Sequence, residues 1–458
     1  MTTTAAPAAF DRRLLPPMVL GSLLNPVNSS MLAVALVPIG IALGVPASHT
    51  AWLVTSLYLA TSVGQPVVGR LVDTFGPRPL YLIGTALVGV AGLLGAFAPN
   101  LGTLVAARVL IGFGTCAGYP AAIYLIRRES RRTGIASPSG VLATLAVANQ
   151  VVAVIGPTLG GLLIAVGGWR AIFTVNVPLS IACLVLGTLR LPRVERGPQR
   201  GLDLLGIALF AVALVALMLF LMHPVAGHWY EAAIAVAAGA GFARRELRTP
   251  EPFIDLRVLG GNGPQLATYV RQLLASTVSY AFLYGYTQWL EAGRGLSASG
   301  AGLVLLPMFA GAIVVTTVSG RRPEVRGKLV VGSLTLLVVC SLLLAVDAET
   351  AIVVLVGLAL LAGVPQGLNS LANQNALYHQ ADEGRIAASA GLLRTFTYLG
   401  AIASSAATAT FFDDGATTPG LHELTIFMVV VSAALVALTL LDRSLRRTGV
   451  PTTREVPA

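Results

Sequence analysis

The sequence predicts an all-α integral membrane protein that crosses the bilayer fourteen times, and three observations carry that expectation. First, 55% of its 458 residues are hydrophobic and only 11% are charged, with a mean hydropathy of +0.80. A soluble domain carries about 25% charged residues, and no water-soluble core absorbs this much apolar sequence. Second, the apolar residues come in runs near the ~20 residues that an α-helix needs to cross a bilayer. Third, the basic residues collect at every second turn between those runs.

Taken in order, the runs lie at roughly 16–43, 50–69, 79–97, 101–126, 139–166, 169–190, 203–222, 228–243, 265–289, 297–319, 328–346, 350–378, 386–412 and 421–441. Met1 to Phe10 is polar and small, and Arg12 and Arg13 follow it. The apolar stretch beyond is too long for a secretion signal, so the first span is expected to be retained. The eighth run is the shortest. After it, residues 244–263 are too polar to span, yet Phe253, Ile254, Leu256, Val258 and Leu259 are apolar. This connector either lies along the inner membrane surface or is a flexible linker.

With the N-terminus placed in the cytoplasm, 25 of the 30 Lys and Arg residues fall in cytoplasmic segments. Only Arg170 and Arg294 fall in outer loops, and Arg108, Arg271 and Arg394 lie inside spans. That asymmetry follows the positive-inside rule. It places both termini in the cytoplasm, accounts for the net charge of +10 and leaves no case for a nucleic-acid partner. Lys328 is the only lysine beside 29 arginines, a composition that suggests a GC-rich bacterial genome and hence a multi-pass protein of the bacterial inner membrane. Cys116, Cys183 and Cys340 sit far apart inside apolar runs, without disulfide, CxxC or metal-ligand spacing. The five histidines are scattered, and no HxxxH, GxSxG or P-loop pattern occurs. Neither enzyme activity nor a cofactor is expected.

The rest of the chain is organised around the turn between the second and third runs, which reads Gly69-Arg70-Leu71-Val72-Asp73-Thr74-Phe75-Gly76-Pro77-Arg78. A turn this short makes its two helices antiparallel neighbours. Asp73 and Arg78 are placed to pair or to meet a helix end. The stretch resembles the G-x-L-x-D-x-x-G-x-R loop of the major facilitator superfamily, matching at Gly69, Leu71, Asp73, Gly76 and Arg78. In that family the loop belongs to the cytoplasmic gate. The resemblance implies two six-helix bundles that rock about a site near the midplane. It also implies a gate role for Asp73, with Arg127 or Arg128 as charge partners. An echo of the turn, Gly320, Glu324 and Gly327 with Lys328 behind, falls between the tenth and eleventh runs. Two extra helices must therefore be inserted between the bundles. The expected divisions are a tail at 1–15, a six-helix bundle at 16–190, an inserted pair with connectors at 191–264, a second bundle at 265–442 and a tail at 443–458.

Further motifs point to the fourteen-span drug:proton antiporter branch of that family. Gly156-Pro157-Thr158-Leu159-Gly160-Gly161 in the fifth run resembles the core of the antiporter motif, which is associated with exporters. The two earlier glycines of its long form fall on Ala143 and Val152. A packing kink without bearing on transport direction remains open. Trp169, Arg170, Phe173, Asn176 and Pro178 resemble the W-R-x-x-F-x-x-N-x-P run of the same branch. Arg108, with Gly112 and Gly114, matches R-x-x-x-G-x-G in the fourth span, where the family reading is proton or substrate coupling. A charge at this depth costs about 2.5–3.5 kcal/mol on insertion scales and should face the bundle interior or a cavity.

The first span departs from the branch, because Asn28 stands at its acidic position. No Asp or Glu lies deep in any run. A buried carboxylate is the usual proton carrier and partner of a cationic drug. The candidate coupling and cavity residues are Arg108, Arg394, Arg271, Asn28, Asn149, Gln150, Tyr284, Gln288 and Asn373. Tyr280, Tyr284 and Gln288 recur at i, i+4 and i+8, so one helix face is expected to carry them. The expectation is a monomeric secondary transporter in the lipid bilayer, with protons as coupling ion and a small-molecule substrate. Drugs or other small amphiphiles that are anionic, zwitterionic or neutral are favoured over cations. A lipid or metabolite exporter on the same scaffold is the alternative.

Overall fold

The computed structural model describes residues 10–446 except 33, 46, 51, 135–138, 195–202, 223–225, 255, 297, 321, 323 and 413–414. Helix occupies every one of the fourteen apolar runs. In the first part these are α1 (Leu15–Leu32), α2 (Trp52–Phe75), α3 (Pro77–Ala96), α4 (Leu101–Thr133), α5 (Ser139–Gly167) and α6 (Ala171–Arg190). Then come α7 (Leu204–Met222) and α8 (Trp229–Glu246). The last six are α9 (Gly263–Ala281), α10 (Ala298–Ser319), α11 (Arg326–Leu343), α12 (Ile352–Gln380), α13 (Ile386–Phe411) and α14 (Thr418–Leu441).

Local chemistry sets the boundaries. Gly76 takes φ +85°, a conformation that costs glycine little, and Pro77 then opens α3 where a missing N–H is harmless. Asn100 caps α4 by accepting the Thr103 N–H at 3.0 Å, and Thr417 caps α14 by accepting from Gly420 at 3.3 Å. Helix α5 bends by 42° between Gly140–Val152 and Val154–Gly167. Pro157 explains the bend, because it removes the hydrogen bond to the carbonyl four residues back.

Among the described residues, nine of these helices are long and apolar enough to cross a membrane, and α5 would make a tenth as a bent pair. The count therefore differs from the fourteen expected. The helices that fall short are α1, α2, α5, α8 and α9, and there is a physical reason. Helices α1, α2 and α9 spend inward positions on polar residues such as Asn25, Gln65, Arg271 and Ser276, which lowers their mean hydropathy. Helix α8 ends on Arg244, Arg245 and Glu246.

The helices pack in two sets with the same pattern. In the first, α1 packs on α5, α2 on α4, and α3 on both α4 and α6. In the second, α9 packs on α13, α10 on α12, and α11 on both α12 and α14. The two sets meet through α2 and α4 against α13, and through α5 against α10 and α12. Helices α7 and α8 pack on each other, and α7 lies over the seam between α2 and α13. Its Leu214 and Met218 join Tyr58, Val63, Tyr398 and Ile402 in one apolar cluster.

The connector after α8 is tied to the helices at Phe253 and Ile254 rather than hanging as a loose linker. Phe253 is buried against Phe210, with ring centroids 5.6 Å apart, and the Ile254 N–H donates to Glu246 Oε2 at 2.9 Å. A short helix, Leu256–Gly261, leads into α9. Phe253, Ile254 and Leu259 line a groove beside the α2–α13 seam.

Candidate functional site

The turn at 69–78 sits where α2 and α13 cross. Asp73 Oδ1 accepts the Ala387 N–H at 3.1 Å, and Oδ2 accepts the Ala388 N–H at 2.9 Å. These are first-turn amides of α13, which have no partner within their own helix. A carboxylate there also meets the positive end of the helix dipole. The partner of Asp73 is thus a helix end rather than Arg127 or Arg128, the charge partners expected above. Arg127 instead donates to the Tyr378 carbonyl and lies 4.9 Å over the Tyr378 ring. Arg78 Nη2 donates to the Thr188 carbonyl at 2.9 Å, near the end of α6.

Glycine makes this crossing close. A Cβ on Gly69 would sit 2.4 Å from the Ala387 carbonyl oxygen, and one on Gly391 would sit 2.3 Å from that of Gln65. Further along the seam, Thr395 Oγ1 donates to the Ser62 carbonyl at 2.8 Å and the Tyr398 hydroxyl to Asn25 Oδ1 at 3.1 Å. The rings of Tyr58 and Tyr398 lie 5.6 Å apart. Contacts between the two sets thus run from the Asp73 end, which carries most of the basic turns, to the level of Tyr58. At the opposite end, the segments Leu36–Leu43 and Phe282–Gly293 find their main packing within their own sets.

Between the two sets lies a cavity of about 210 Å³. The first set contributes Pro26, Tyr119, Ala146, Asn149 and Gln150, and the rest of the wall comes from α9, Leu283 just beyond it, α10, α12 and α13. Gln272 donates to Thr397 Oγ1 at 3.0 Å and accepts from Asn373 Nδ2 at 3.1 Å. Gln374 donates to Ser370 Oγ at 3.2 Å. Arg394 extends from α13 and rests its guanidinium 4.2 Å over the ring of Tyr119, on α4. No carboxylate lines this cavity among the described residues.

Of the residues singled out from sequence, Asn149, Gln150 and Arg394 meet in the cavity, and Asn373 touches it through Gln272. The others lie elsewhere. Arg108 is buried within the first set, where Nε donates to the Leu53 carbonyl at 2.9 Å and Nη1 to that of Asn28 at 3.2 Å. The Asn28 side chain donates to Asn176 Oδ1 at 2.6 Å and ties α1 to α6. Arg271 is fully buried and pairs with Asp442 at 2.5 Å, so it is a brace rather than a cavity residue. Burial alone would push the Asp442 carboxyl up. Hydrogen bonds from Ser444 and Arg271, with the Arg271 charge, hold it below its ordinary value instead.

Tyr280 lines the cavity and the Tyr284 ring stacks on it with centroids 5.8 Å apart, so these two share a face as expected, and Gln288, one turn further on, is exposed like Tyr284. Two wide π-turns, Phe282–Tyr286 and Trp289–Gly293, continue this segment beyond α9. Gly156 and Gly160 bring α5 against α1. A Cβ on the first would overlap Ser30 Oγ at 1.8 Å, and one on the second would reach the Met31 carbonyl at 2.9 Å. Gly161 faces open space, and Pro157 accounts for the bend. Sequence reasoning passed over Tyr119, Gln272, Ser276 and Thr397. Tyr119 had a signal of sorts, being an aromatic residue in the Gly118-Tyr119-Pro120 break of the fourth run.

The Major Facilitator Superfamily profile matches residues 18–405. The uncharacterized MFS-type transporter YwoD of Bacillus subtilis (strain 168) is 31% identical over 439 residues, covering 94% of this chain and 96% of its own length. The tetracenomycin C resistance and export protein of Streptomyces glaucescens is 30% identical over 328 residues, 69% of this chain and 60% of that protein. The lincomycin resistance protein of Streptomyces lincolnensis is 32% identical over 295 residues, 62% of this chain and 60% of that protein. A likeness of fold extends to the crystal structure of the human organic anion transporter MFSD10 (TETRAN), with TM-score 0.66 and 16% identity over 94% of this chain and all of that one. With two alike sets of helices enclosing a polar cavity and a profile match over most of its length, the chain belongs to the Major Facilitator Superfamily of membrane transporters.

Proposed function

We propose that this transporter exports drugs or other small amphiphiles across a bacterial inner membrane by alternating access. In this reading the chain spans fourteen times, as a six-helix bundle, an inserted pair and a second six-helix bundle. Both termini and the Asp73 end face the cytoplasm. The arrangement described above is then the outward-facing state, closed to the cytoplasm by Asp73 and the amides of Ala387 and Ala388. Resemblance to the drug:proton antiporter branch at Gly156–Gly161 and at Trp169–Pro178 supports the proton as driving ion and the monomer as working unit.

The observation that carries the proposal is a polar cavity between two alike halves, sealed at one end by a carboxylate clamped across the seam. The relatives named for tetracenomycin C and lincomycin resistance support small organic molecules as cargo.

Reconstitution into proteoliposomes with an imposed proton gradient tests it. Fluorescent amphiphiles of each charge class should be moved, and a protonophore should abolish the movement. Movement of labelled phospholipid in place of the amphiphiles would favour the lipid-exporter alternative. Failure to move any solute, with the protein correctly inserted, would overturn the export reading.

A further inference from the structure

Three arginines lie at depth in this molecule, and their surroundings differ in kind. Arg108 spends its donors on the carbonyls of Leu53 and Asn28. Arg271 is paired with Asp442 and also donates to Thr268 Oγ1 at 2.6 Å. Arg394 is half-buried at the cavity wall, has no carboxylate partner among the described residues, and lies over the Tyr119 ring. Among the described residues its charge is met by the Tyr119 side chain and by no carboxylate. A π face attracts a cation far less than an anion does where water is scarce.

We propose that Arg394 is the specificity-determining residue of the cavity. It takes the anionic head of a singly charged organic amphiphile, and binding lifts its guanidinium off Tyr119. This rests on the transporter reading and narrows its cargo to anions.

The wall around Arg394 fits such a ligand. Amides of Gln150, Gln272 and Gln374 are neutral and do not compete for the charge. Tyr280, Met308 and Phe309 give an apolar and aromatic surface for the body of the molecule. A guanidinium presents a planar fork that matches a carboxylate or sulfonate through two parallel bonds, which a lysine replaces in part as a point charge. A lipophilic cation would meet a positive charge here, with no carboxylate among the described lining residues to offset it.

The location also gives binding a mechanical effect. Arg394 belongs to α13 and Tyr119 to α4, in opposite halves. An anion that draws the guanidinium away removes one tie across the seam and leaves the Asp73 clamp as it was. Cargo and inter-half contact compete for the position of one guanidinium.

The test is equilibrium binding to the purified full-length protein by calorimetry, with taurocholate as the anionic probe and tetraphenylphosphonium as the cationic one. R394Q should lower taurocholate affinity by about tenfold or more, the change expected for a lost charge-assisted pair. Tetraphenylphosphonium binding should not fall. Y119L frees the guanidinium and should tighten taurocholate binding by about threefold or more. If R394Q loses both probes, R394K decides. Recovery of taurocholate binding with the charge supports the assignment, and no recovery overturns it. The assignment is also overturned if wild type does not bind taurocholate, if R394Q binds it unchanged, or if Y119L weakens it as R394Q does. Because the readout is binding, a protein that holds taurocholate through Arg394 yet moves no solute keeps this inference and loses the exporter reading. One that exports amphiphiles but ignores R394Q loses this inference alone.

Discussion

The turn at Gly69–Asp73–Gly76 and its echo at Gly320–Glu324–Gly327 occupy corresponding places in the two halves, and both bring a glycine against the opposite half. Gly69 lies on the backbone of Ala387 and Ala388 in α13. Gly320 lies on Ala143 in α5, where a Cβ would come within 2.3 Å of the Ala143 Cβ. The carboxylates then part ways. Asp73 crosses the seam to two amides. Glu324 is exposed, and its carboxylate lies over Gly327, so that a Cβ there would meet Oε1 at 2.6 Å. Lys328 donates to the Arg322 carbonyl within the same turn. Among the described residues, one copy grips the other half with charge-assisted bonds and the second touches it through packing. The seam is therefore latched along the Gly69 flank.

This asymmetry can be broken by substitution. The largest effect is expected from Gly69→Leu. Overpacking a rigid backbone crossing costs about 1–3 kcal/mol, enough to lower transport about tenfold in vesicles with protein amount normalised. A loss of the same size from Gly320→Leu would show that both crossings are equally critical. Asp73→Asn keeps the shape and removes the charge. Hydrogen bonds to charged groups are worth about 1.5–3 kcal/mol, so this variant should insert normally and transport severalfold more slowly. Unchanged transport would remove the clamp role. Glu324→Gln alters an exposed charge of the kind worth about 0–1 kcal/mol and should stay within about twofold of wild type. A loss matching that of Asp73→Asn would erase the distinction between the copies.

The helices were legible because apolar run length and loop charge are local quantities, readable residue by residue. The turn at 69–78 was equally plain as a motif, but its partner was not. Asp73 binds backbone amides more than 300 residues away, and a helix end leaves no side-chain signature there. Arg271 looked like a cavity residue for a similar reason, since Asp442 is 171 positions distant and outside any apolar run. Arg394, Asn149 and Gln150 were found because polar side chains in apolar runs must face something other than lipid.

Helix α7 adds a consequence of its own. It bridges the latched flank through an apolar cluster of Leu214, Met218 and Tyr398 with Tyr58 and Val63. Its polar anchorage runs instead to its own neighbour, through the pair of Asp203 and Arg245 at 2.7 Å. Greasy surfaces have no preferred register, whereas hydrogen bonds do. In the alternating-access reading proposed above, such a helix would serve as a gasket, letting the bundles shift beneath it while hydrocarbon chains are kept out of the joint.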